Sequence, residues 1–241
     1  MTEPLRRLWD DEAEAWAAWA RAPDHDTFWH FTRWRLLEVL PEPGGLTVDL
    51  GGGEGRLARE LTTHGHRVVG IDSSETLTRL AVTHDEATAA AVGDLAALPV
   101  ATETADLAVA CMSLQDVDDL DGAVREAARI LRPGGRLAVA IVHPINSSGH
   151  FADDSASAPF VIAGSYLSEF RYSDHLERDG LAMTFHSVHR PLEAYAQALN
   201  DAGLLIETIR EPTWDSPTGM SRFTGWDRIP IFCFIRAVKP R

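Results

Sequence analysis

Short apolar runs alternate with helical patterns between residues 46 and 142, and this alternation constrains the fold more than any other feature of the chain. The runs have the length and aliphatic content of buried strands, and helical patterns follow the first, second and fourth of them. Strands joined through helices run parallel with right-handed crossovers, and the helices cover both faces of the sheet. The pattern therefore predicts an α/β fold. The predicted strands are 46–50, 67–71, 89–92, 106–111 and 136–142.

The C-terminal part of the chain follows a different pattern. Residues 191–202 are predicted to form a helix that ends at Gly203, and strands are predicted over 204–209 and 230–238 with no helix between them. Two strands joined only by a loop pair antiparallel. We therefore expect an antiparallel strand pair at the edge of a mostly parallel sheet.

The remaining segments suggest a single domain with four parts. Residues 1–45 are predicted to form a helical N-terminal cap, in which Trp9, Trp16 and Trp19 fall at helical spacing on one face. Such a stripe usually packs a helix onto its domain, and a lid over a substrate is the alternative. The other parts are a core over 46–142, a lid insertion over 143–189, and a C-terminal helix and strand pair over 190–241.

The charge of the chain limits its partners. It has 22 basic and 36 acidic side chains, and this net charge of −14 argues against binding to nucleic acid or to an anionic membrane surface. No apolar run is long enough to span a membrane, and no targeting pattern is present. Cys111 and Cys233 lie in apolar runs and are expected to be reduced, so we expect a cytoplasmic protein. Lys239 is the only lysine, which leaves histidines and acids as candidate bases.

Glycines cluster where the first predicted strand ends, between Asp49 and Gly55. Glycine lets the backbone turn sharply and approach a ligand, and an open α/β sheet binds its ligand at this end of its strands. Gly53, Gly55 and Ala58 also satisfy the dinucleotide fingerprint Gly-x-Gly-x-x-Gly/Ala, so an NAD(P)-dependent oxidoreductase is one hypothesis. A tight turn with no ligand is another.

Carboxylates near this turn help to separate the hypotheses. Asp49 directly precedes the glycines, where it would repel a pyrophosphate and attract a cation. Asp72 ends the second strand and can accept from ribose hydroxyls, although capping of the next helix is the alternative. Asp94 follows the third strand, where a carboxylate can bind an adenine amino group. These acids favour a ligand with adenosine at one end and a positively charged sulfonium and amino acid at the other.

In this order and spacing, the motifs resemble those of the class I S-adenosylmethionine-dependent methyltransferases, in the small-molecule branch similar to ubiquinone/menaquinone-biosynthesis methyltransferases. The resemblance covers about residues 46–137, including a Pro-Gly-Gly turn at 133–135. It implies a Rossmann-like sheet and S-adenosylmethionine as the cofactor, and it departs from the commonest motif at Gly52. The implied cofactor-binding residues are Asp49, Gly51, Gly53 and Gly55 for the methionine part, Asp72 and Ser73 for the ribose, Asp94 and Leu95 for the adenine, and Met112 for the wall.

The function implied by this resemblance is transfer of a methyl group from S-adenosylmethionine to a small-molecule acceptor, on an oxygen, nitrogen or carbon atom. A non-catalytic S-adenosylmethionine-binding regulatory protein is an alternative, beside the oxidoreductase. Methyl transfer from a sulfonium depends chiefly on alignment, and a base helps when the acceptor is weakly acidic.

His143 follows the fifth predicted strand and is the candidate general base; a hydrogen bond to the loop backbone is the alternative role. Further candidates are His25, His30, His186 and His189. No pair of residues has a recognised metal-ligand spacing, so no metal is expected. The acidic run Asp116, Asp118, Asp119 and Asp121 could form a cation site, but it precedes a helix, and capping of that helix is favoured.

Overall fold

The computed structural model describes residues 3–85, 88–214 and 225–241, and its strands form a central sheet and two small ribbons. The strands are β1 (Thr47–Leu50), β2 (Val68–Asp72), β3 (Ala89–Val92), β4 (Ala105–Cys111), β5 (Leu131–Val142), β6 (His150–Phe151), β7 (Phe160–Val161), β8 (Phe170–Arg178), β9 (Leu181–His189), β10 (Leu205–Arg210) and β11 (Phe232–Val238).

Helices lie on both faces of the sheet and at the N-terminus. They are α1 (Leu5–Asp11), α2 (Ala13–Arg21), α3 (Arg33–Leu37), α4 (Arg56–Thr63), α5 (Glu75–His84), α6 (Leu120–Ile130), α7 (Pro144–Ser147) and α8 (Leu192–Asp201). A π-helical turn (Phe28–Thr32) precedes α3, and a 3-10 turn (Leu114–Asp116) follows β4. Within the described residues, no helix has the length and hydropathy to cross a bilayer.

The central sheet has seven strands in the order β10-β11-β5-β4-β1-β2-β3. The five strands from β3 to β5 are parallel, β11 pairs antiparallel with β5, and β10 pairs antiparallel with β11. The predicted α/β fold with its antiparallel C-terminal pair is therefore confirmed. The prediction that a loop alone joins the last two strands falls partly on residues 215–224, which lie outside the described residues.

Alternate residues of β5 pack on opposite faces of the sheet, as the two-residue period of a strand requires. Leu137, Val139 and Ile141 join an apolar cluster with α6 and α8. Ala138 and Ala140 join a second cluster, which the π-helical turn, α3 and α4 cover. The sheet is thus buried on both faces, and its ligand can approach only along an edge or at the strand ends.

The structure corrects one predicted boundary and adds a hairpin. Strand β5 begins at Leu131 and not at residue 136, because Ala105 pairs with Leu131 while Leu107 pairs with Arg136, so the Pro-Gly-Gly segment bulges out of the strand. Within the lid insertion, β9 pairs antiparallel with β8, a strand that the sequence analysis missed. Polar residues dominate β8, but the Asp179-Gly180 turn, with φ values of +50° and +80°, is a hairpin signal that would have revealed it.

Candidate functional site

A cavity of about 560 Å³ lies at the carboxyl ends of the parallel strands. The turn after β1, the ends of β2 and β4, and the segment after β3 form one part of its wall. Helices α1 and α2 and the β8–β9 hairpin form another part, so segments distant in sequence close over the strand ends. The sequence-predicted residues in the wall are Asp49, Gly51, Gly53, Asp72, Ser73, Asp94, Leu95 and Met112.

The glycine turn owes its shape to positive φ angles, which are +75° at Gly51, +56° at Gly53 and +86° at Gly55. A Cβ atom on Gly51 would lie 2.5 Å from the Cβ of Ser113, so the segment after β4 fits against this turn only where no side chain is present. Gly55 differs from the other two, because it lies outside the cavity wall and begins α4. Gly55 therefore sets the direction in which α4 leaves the turn, and it does not line the cavity.

We expect Gly51→Ala to destabilise the protein by roughly 3 kcal/mol, since it combines a positive φ with an overlap against Ser113. Gly180→Ala is the matched control, because Gly180 has a φ of +80° with nothing within 4 Å of an added Cβ. It should cost only about 1 kcal/mol. Urea unfolding of both variants measures the difference, and equal losses would show that the Ser113 contact does not restrict the turn.

Asp49 is a buried carboxylate with unmet hydrogen-bonding capacity. Its side chain is 1 % exposed, and its Oδ2 has no hydrogen-bond partner. Burial, with a smaller contribution from Asp72, raises its pKa to about 7, although Arg56 opposes the shift. A buried carboxylate oxygen with no donor is costly, so this position suits a cation or an N–H donor brought by a ligand.

Asp72 connects the glycine turn to the start of α5. Its Oδ2 accepts from the Gly53 amide at 2.9 Å, and its Oδ1 accepts from the Ser74 amide at 2.9 Å. Burial raises the pKa of this carboxyl, while both amide hydrogen bonds lower it. The N-cap of α5 is Ser74, whose Oγ accepts from the Leu77 amide, so Asp72 is not the cap of that helix. Its carboxylate instead lies in the cavity wall.

Asp94 and Leu95 line the cavity after β3. The Asp94 side chain is about half exposed, accepts from the Ala96 amide at 2.9 Å and lies 3.9 Å from the Arg6 guanidinium. Leu95 is buried beside it. Met112 adopts a φ of +55° directly after β4, which turns the chain into the cavity wall. The apolar side chains of Leu95 and Met112 and the half-exposed carboxylate of Asp94 therefore line the same cavity as the glycine turn.

His143 lies outside the cavity wall, although its neighbour Val142 lines it. The His143 ring is buried, its Nδ1 accepts from the Ile145 amide at 3.0 Å, and its Nε2 lies 2.7 Å from the Glu211 carboxylate. Burial lowers the pKa of this ring, while Glu211 raises it. The geometry matches the alternative role given above, a cap on the loop and α7, because both ring nitrogens already have partners.

We expect His143→Ala to lower the free energy of unfolding by about 2 kcal/mol through loss of the cap and of the Glu211 contact. Affinity for a ligand in the cavity should stay within twofold of the original value, since the ring does not reach it. Urea unfolding and a ligand titration on the same sample test this. If the His143→Ala variant kept the original unfolding curve but lost methyl-transfer turnover, the result would support His143 as the general base.

The other candidate histidines also lie outside the cavity wall. His25 contacts the Pro23 and Arg178 carbonyls, and His30 contacts Asp24. His186 Nδ1 lies 2.8 Å from the Ser173 hydroxyl, and His189 bridges Ser147 and the Tyr166 carbonyl.

In residues 3–85, 88–214 and 225–241, no group of three or more His, Cys, Asp or Glu side chains could hold a metal ion.

The acidic run after β4 has more than one role. Asp119 accepts from the Gly122 amide at 2.8 Å and caps α6, as expected for a helix N-terminus. Asp118 contacts Arg171 and the Leu5 amide. Asp116 is different, because it is half-buried, lines the cavity and accepts from the Ser187 hydroxyl at 2.6 Å. Asp116 therefore does not cap α6, since its carboxylate pairs with Ser187 on the hairpin β8–β9.

The tryptophan stripe of the N-terminal cap both packs and lines the cavity. Trp9, Trp16 and Trp19 all contact the ring of Phe185 on β9 edge-on, with centroids 5.9–6.3 Å apart. Trp19 is fully buried, whereas Trp9 and Trp16 lie in the cavity wall. The packing interpretation therefore applies to Trp19, whereas Trp9 and Trp16 lie where a lid over a ligand would be.

Comparison with known proteins places this architecture among methyltransferases. A family model described as a methyltransferase domain matches residues 48–139. The demethylmenaquinone methyltransferase of Corynebacterium kroppenstedtii is 37% identical over 114 residues, which are 47% of this chain and 48% of that protein. The malonyl-[acyl-carrier protein] O-methyltransferase of Methylococcus capsulatus is 36% identical over 107 residues, 42% of this chain and 39% of that protein.

A solved structure extends the likeness beyond the core. The crystal structure of an S-adenosylmethionine-dependent methyltransferase from Mesorhizobium loti superimposes with a TM-score of 0.69 and 26% identity, covering 89% of this chain and 99% of that one. The chain matches about half or less of the length of these two curated relatives. These matches confirm the predicted resemblance and offer no support for a dinucleotide-dependent oxidoreductase.

Proposed function

The chain carries a class I S-adenosylmethionine-dependent methyltransferase domain, and from this premise we propose that the whole protein transfers the methyl group of S-adenosylmethionine to a small-molecule acceptor. The observation that carries the proposal is the buried Asp49 carboxylate, whose Oδ2 has no partner at the edge of the glycine turn. That oxygen fits a ligand with a positively charged end, and a pyrophosphate would be repelled there.

The proposed cofactor fits the rest of the wall as well. S-adenosylmethionine supplies a methyl group on a sulfonium sulfur, which is a good leaving group. We assign its charged methionine end to Asp49 and to the backbone of Gly51 and Gly53, all of which line the cavity. Gly55 then shapes the turn without touching the ligand.

The adenosine end is assigned to the acids that follow β2 and β3. Asp72 retains lone pairs beyond its two amide hydrogen bonds, so it can accept from ribose hydroxyls, with Ser73 beside it. Asp94 and Leu95 are assigned to the adenine, with the carboxylate at the amino group and the leucine against the ring. Met112 forms the wall of the cavity across the strand ends.

The protein's contribution to the reaction is alignment in a partly closed cavity. Most of the catalytic gain in a displacement of this kind comes from holding the acceptor atom in line with the bond that breaks. The names of these two curated relatives differ in acceptor, with demethylmenaquinone in one and malonyl-[acyl-carrier protein] in the other, so they do not fix the acceptor of this chain. We propose a small molecule as the acceptor and leave its methylated atom open.

We also propose that the protein acts in the cytoplasm without a nucleic-acid or membrane partner. Both cysteines are free thiols, which suits a reducing compartment. The net charge of −14 disfavours contact with polyanionic surfaces.

Methyl transfer can be tested with S-adenosylmethionine that carries an isotopic label on its methyl group. The protein is incubated with a small-molecule extract of cells that naturally produce it, and both labelled products and S-adenosylhomocysteine are measured by mass spectrometry. We expect a labelled small molecule to accumulate in step with S-adenosylhomocysteine, and neither to form with Asp72→Ala. Cofactor binding without any labelled product would favour the regulatory alternative.

A further inference from the structure

One part of the cavity wall has no place in the cofactor assignment above. It consists of Gln115 and Asp116 on the 3-10 turn after β4, with Tyr172 and Ser187 on the hairpin β8–β9. We call these four residues the acceptor pole. Tyr172 and Ser187 are paired across the hairpin, so the pole is built by two segments that meet only in the folded chain.

Hydrogen-bond acceptors without donors distinguish this pole. Gln115 is 5% exposed and lines the cavity, yet its Oε1 has no hydrogen-bond partner, while its Nε2 lies 3.4 Å from Asp116 Oδ2. Asp116 Oδ1 accepts from the Ser187 hydroxyl at 2.6 Å. A buried carbonyl oxygen left unpaired costs free energy, and an O–H or N–H group of a ligand would satisfy it.

The pole adjoins the position assigned to the charged end of the cofactor. Ser113, directly before the 3-10 turn, donates from its Oγ to the Leu50 carbonyl at 2.6 Å and packs against Gly51. The turn is therefore tied to the backbone that would hold the methionine part. A group bound at Gln115 and Asp116 thus lies next to the part of the cavity where the sulfonium is expected.

The charge of the cavity argues against an anionic acceptor. The only described basic residues in the wall are Arg6 and Arg56; Arg56 is paired with Asp26, and Arg6 lies beside Asp94. Acidic residues in the wall are more numerous: Asp26, Asp49, Glu54, Asp72, Asp94, Asp116, Asp118, Asp119 and Asp174. A carboxylate or phosphate on the acceptor would therefore be repelled.

Three aromatic side chains in the same cavity wall offer contacts to a ring. Trp9, Trp16 and Phe185 line the cavity and contact one another edge-on at centroid distances of 5.9–6.3 Å. Aromatic side chains in such arrangements stack favourably on flat ligands, and they attract cations as well.

On the premise of the proposed methyltransferase function, we propose that Gln115 and Asp116 bind the acceptor. This acceptor is an aromatic molecule that presents a hydroxyl or an uncharged amine N–H and is neutral or carries a positive charge elsewhere. The new O–CH₃ or N–CH₃ bond forms as the methyl–sulfur bond breaks and its electron pair goes to sulfur. The proton that leaves the acceptor atom goes to the Asp116 carboxylate, and from there to solvent after product release.

The surroundings of Asp116 suit a proton acceptor. Burial raises its pKa well above the usual range of a carboxyl, although the Ser187 hydrogen bond and the nearby Arg190 oppose the shift. Tyr172 and Tyr195, the other titratable groups close to it, have raised pKa values because of burial and stay neutral. A carboxylate with a raised pKa takes up a proton more readily than an exposed one.

Three probes with the same ring system test the proposal: 2-naphthol, 2-naphthylamine and 2-naphthoate. Each is titrated by calorimetry into the full chain saturated with S-adenosylhomocysteine. We expect 2-naphthol and 2-naphthylamine to bind, and 2-naphthoate to bind at least about tenfold more weakly.

Gln115→Met and Asp116→Asn should each weaken 2-naphthol binding by about tenfold. The matched controls Gln197→Met and Asp154→Asn change exposed residues outside the cavity and should leave it unchanged.

The proposal is overturned if 2-naphthoate binds as tightly as 2-naphthol, if neither 2-naphthol nor 2-naphthylamine binds, or if both pole variants bind like the controls. The affinity for S-adenosylhomocysteine, measured on every sample, shows whether a variant has folded. A wild-type protein that does not bind S-adenosylhomocysteine would contradict the proposed function itself, which separates the two failures. If Asp116→Asn does not fold, Gln115→Met still decides the outcome.

Discussion

Asp49→Asn is expected to weaken S-adenosylmethionine binding by about 100-fold and, at the same time, to stabilise the empty protein. The loss of affinity follows from removing a buried charge opposite a cationic ligand, which is worth about 3 kcal/mol. The gain in stability follows from burial, since the Asp49 side chain is 1 % exposed and its Oδ2 has no partner. Calorimetry measures the first effect and urea unfolding the second.

The pH dependence of stability shows the direction of this effect. The pKa of Asp49 rises from 3.8 to about 7 on folding, so between these values the unfolded chain binds fewer protons than the folded one. Stability contributed by this carboxyl is therefore lost as the pH rises through that window, up to roughly 4 kcal/mol at pH 8. We expect Asp49→Asn to be most stabilising at about pH 8 and progressively less so towards about pH 5.

The same ionisation governs cofactor affinity. A cationic ligand selects the carboxylate form, so affinity for S-adenosylmethionine should rise as the pH increases towards 7 and level off above it. Asp154→Asn, at an exposed aspartate, serves as the control and should change neither property. An Asp49→Asn protein that keeps its affinity would exclude a direct contact between Asp49 and the cofactor.

Asp72→Ala is expected to weaken cofactor binding by about 100-fold, through loss of the ribose contact and of the support for the glycine turn. The carboxylate accepts from the Gly53 and Ser74 amides, both at 2.9 Å. Hydrogen bonds to a charged group are worth about 1.5–3 kcal/mol each, so removing the acceptor affects both the ligand and the turn that holds it.

Asp153→Ala is a matched control for this variant. Asp153 accepts from the amide two residues ahead, that of Ser155, at 2.8 Å, as Asp72 does from Ser74, but it lies on an exposed loop outside the cavity. Titration with S-adenosylhomocysteine and urea unfolding compare the two variants. If Asp72→Ala loses stability but keeps the affinity of the control, Asp72 supports the backbone and does not bind the ribose.

Most of the core could be predicted from the sequence because its signals are local. Strand β3 occurs over the residues expected, and the ends of β1, β2 and β3 carry the glycines and acids that form part of the cavity wall. Hydrophobic runs and glycine turns reflect backbone requirements that depend on neighbouring residues alone. The resemblance to methyltransferases rested on the same local motifs.

The acceptor side could not be predicted in the same way, because it depends on contacts between distant segments. Asp116 looks like a helix cap in its local sequence, but its carboxylate accepts from the hydroxyl of Ser187, 71 residues later, and not from the amides of a helix. His143 was expected to face the cavity from its place after β5, but Glu211, 68 residues later, engages its ring. Side-chain direction at a loop depends on such partners, which residue spacing does not reveal.

The central claim is that the acidic strand ends hold S-adenosylmethionine, and calorimetric titration of the wild-type protein with S-adenosylmethionine, S-adenosylhomocysteine, NAD⁺ and NADP⁺ tests it most directly. We expect one-to-one binding of the first two ligands and no heat of binding with either dinucleotide. Folded protein that binds a dinucleotide and neither of the sulfur-containing ligands would contradict the account.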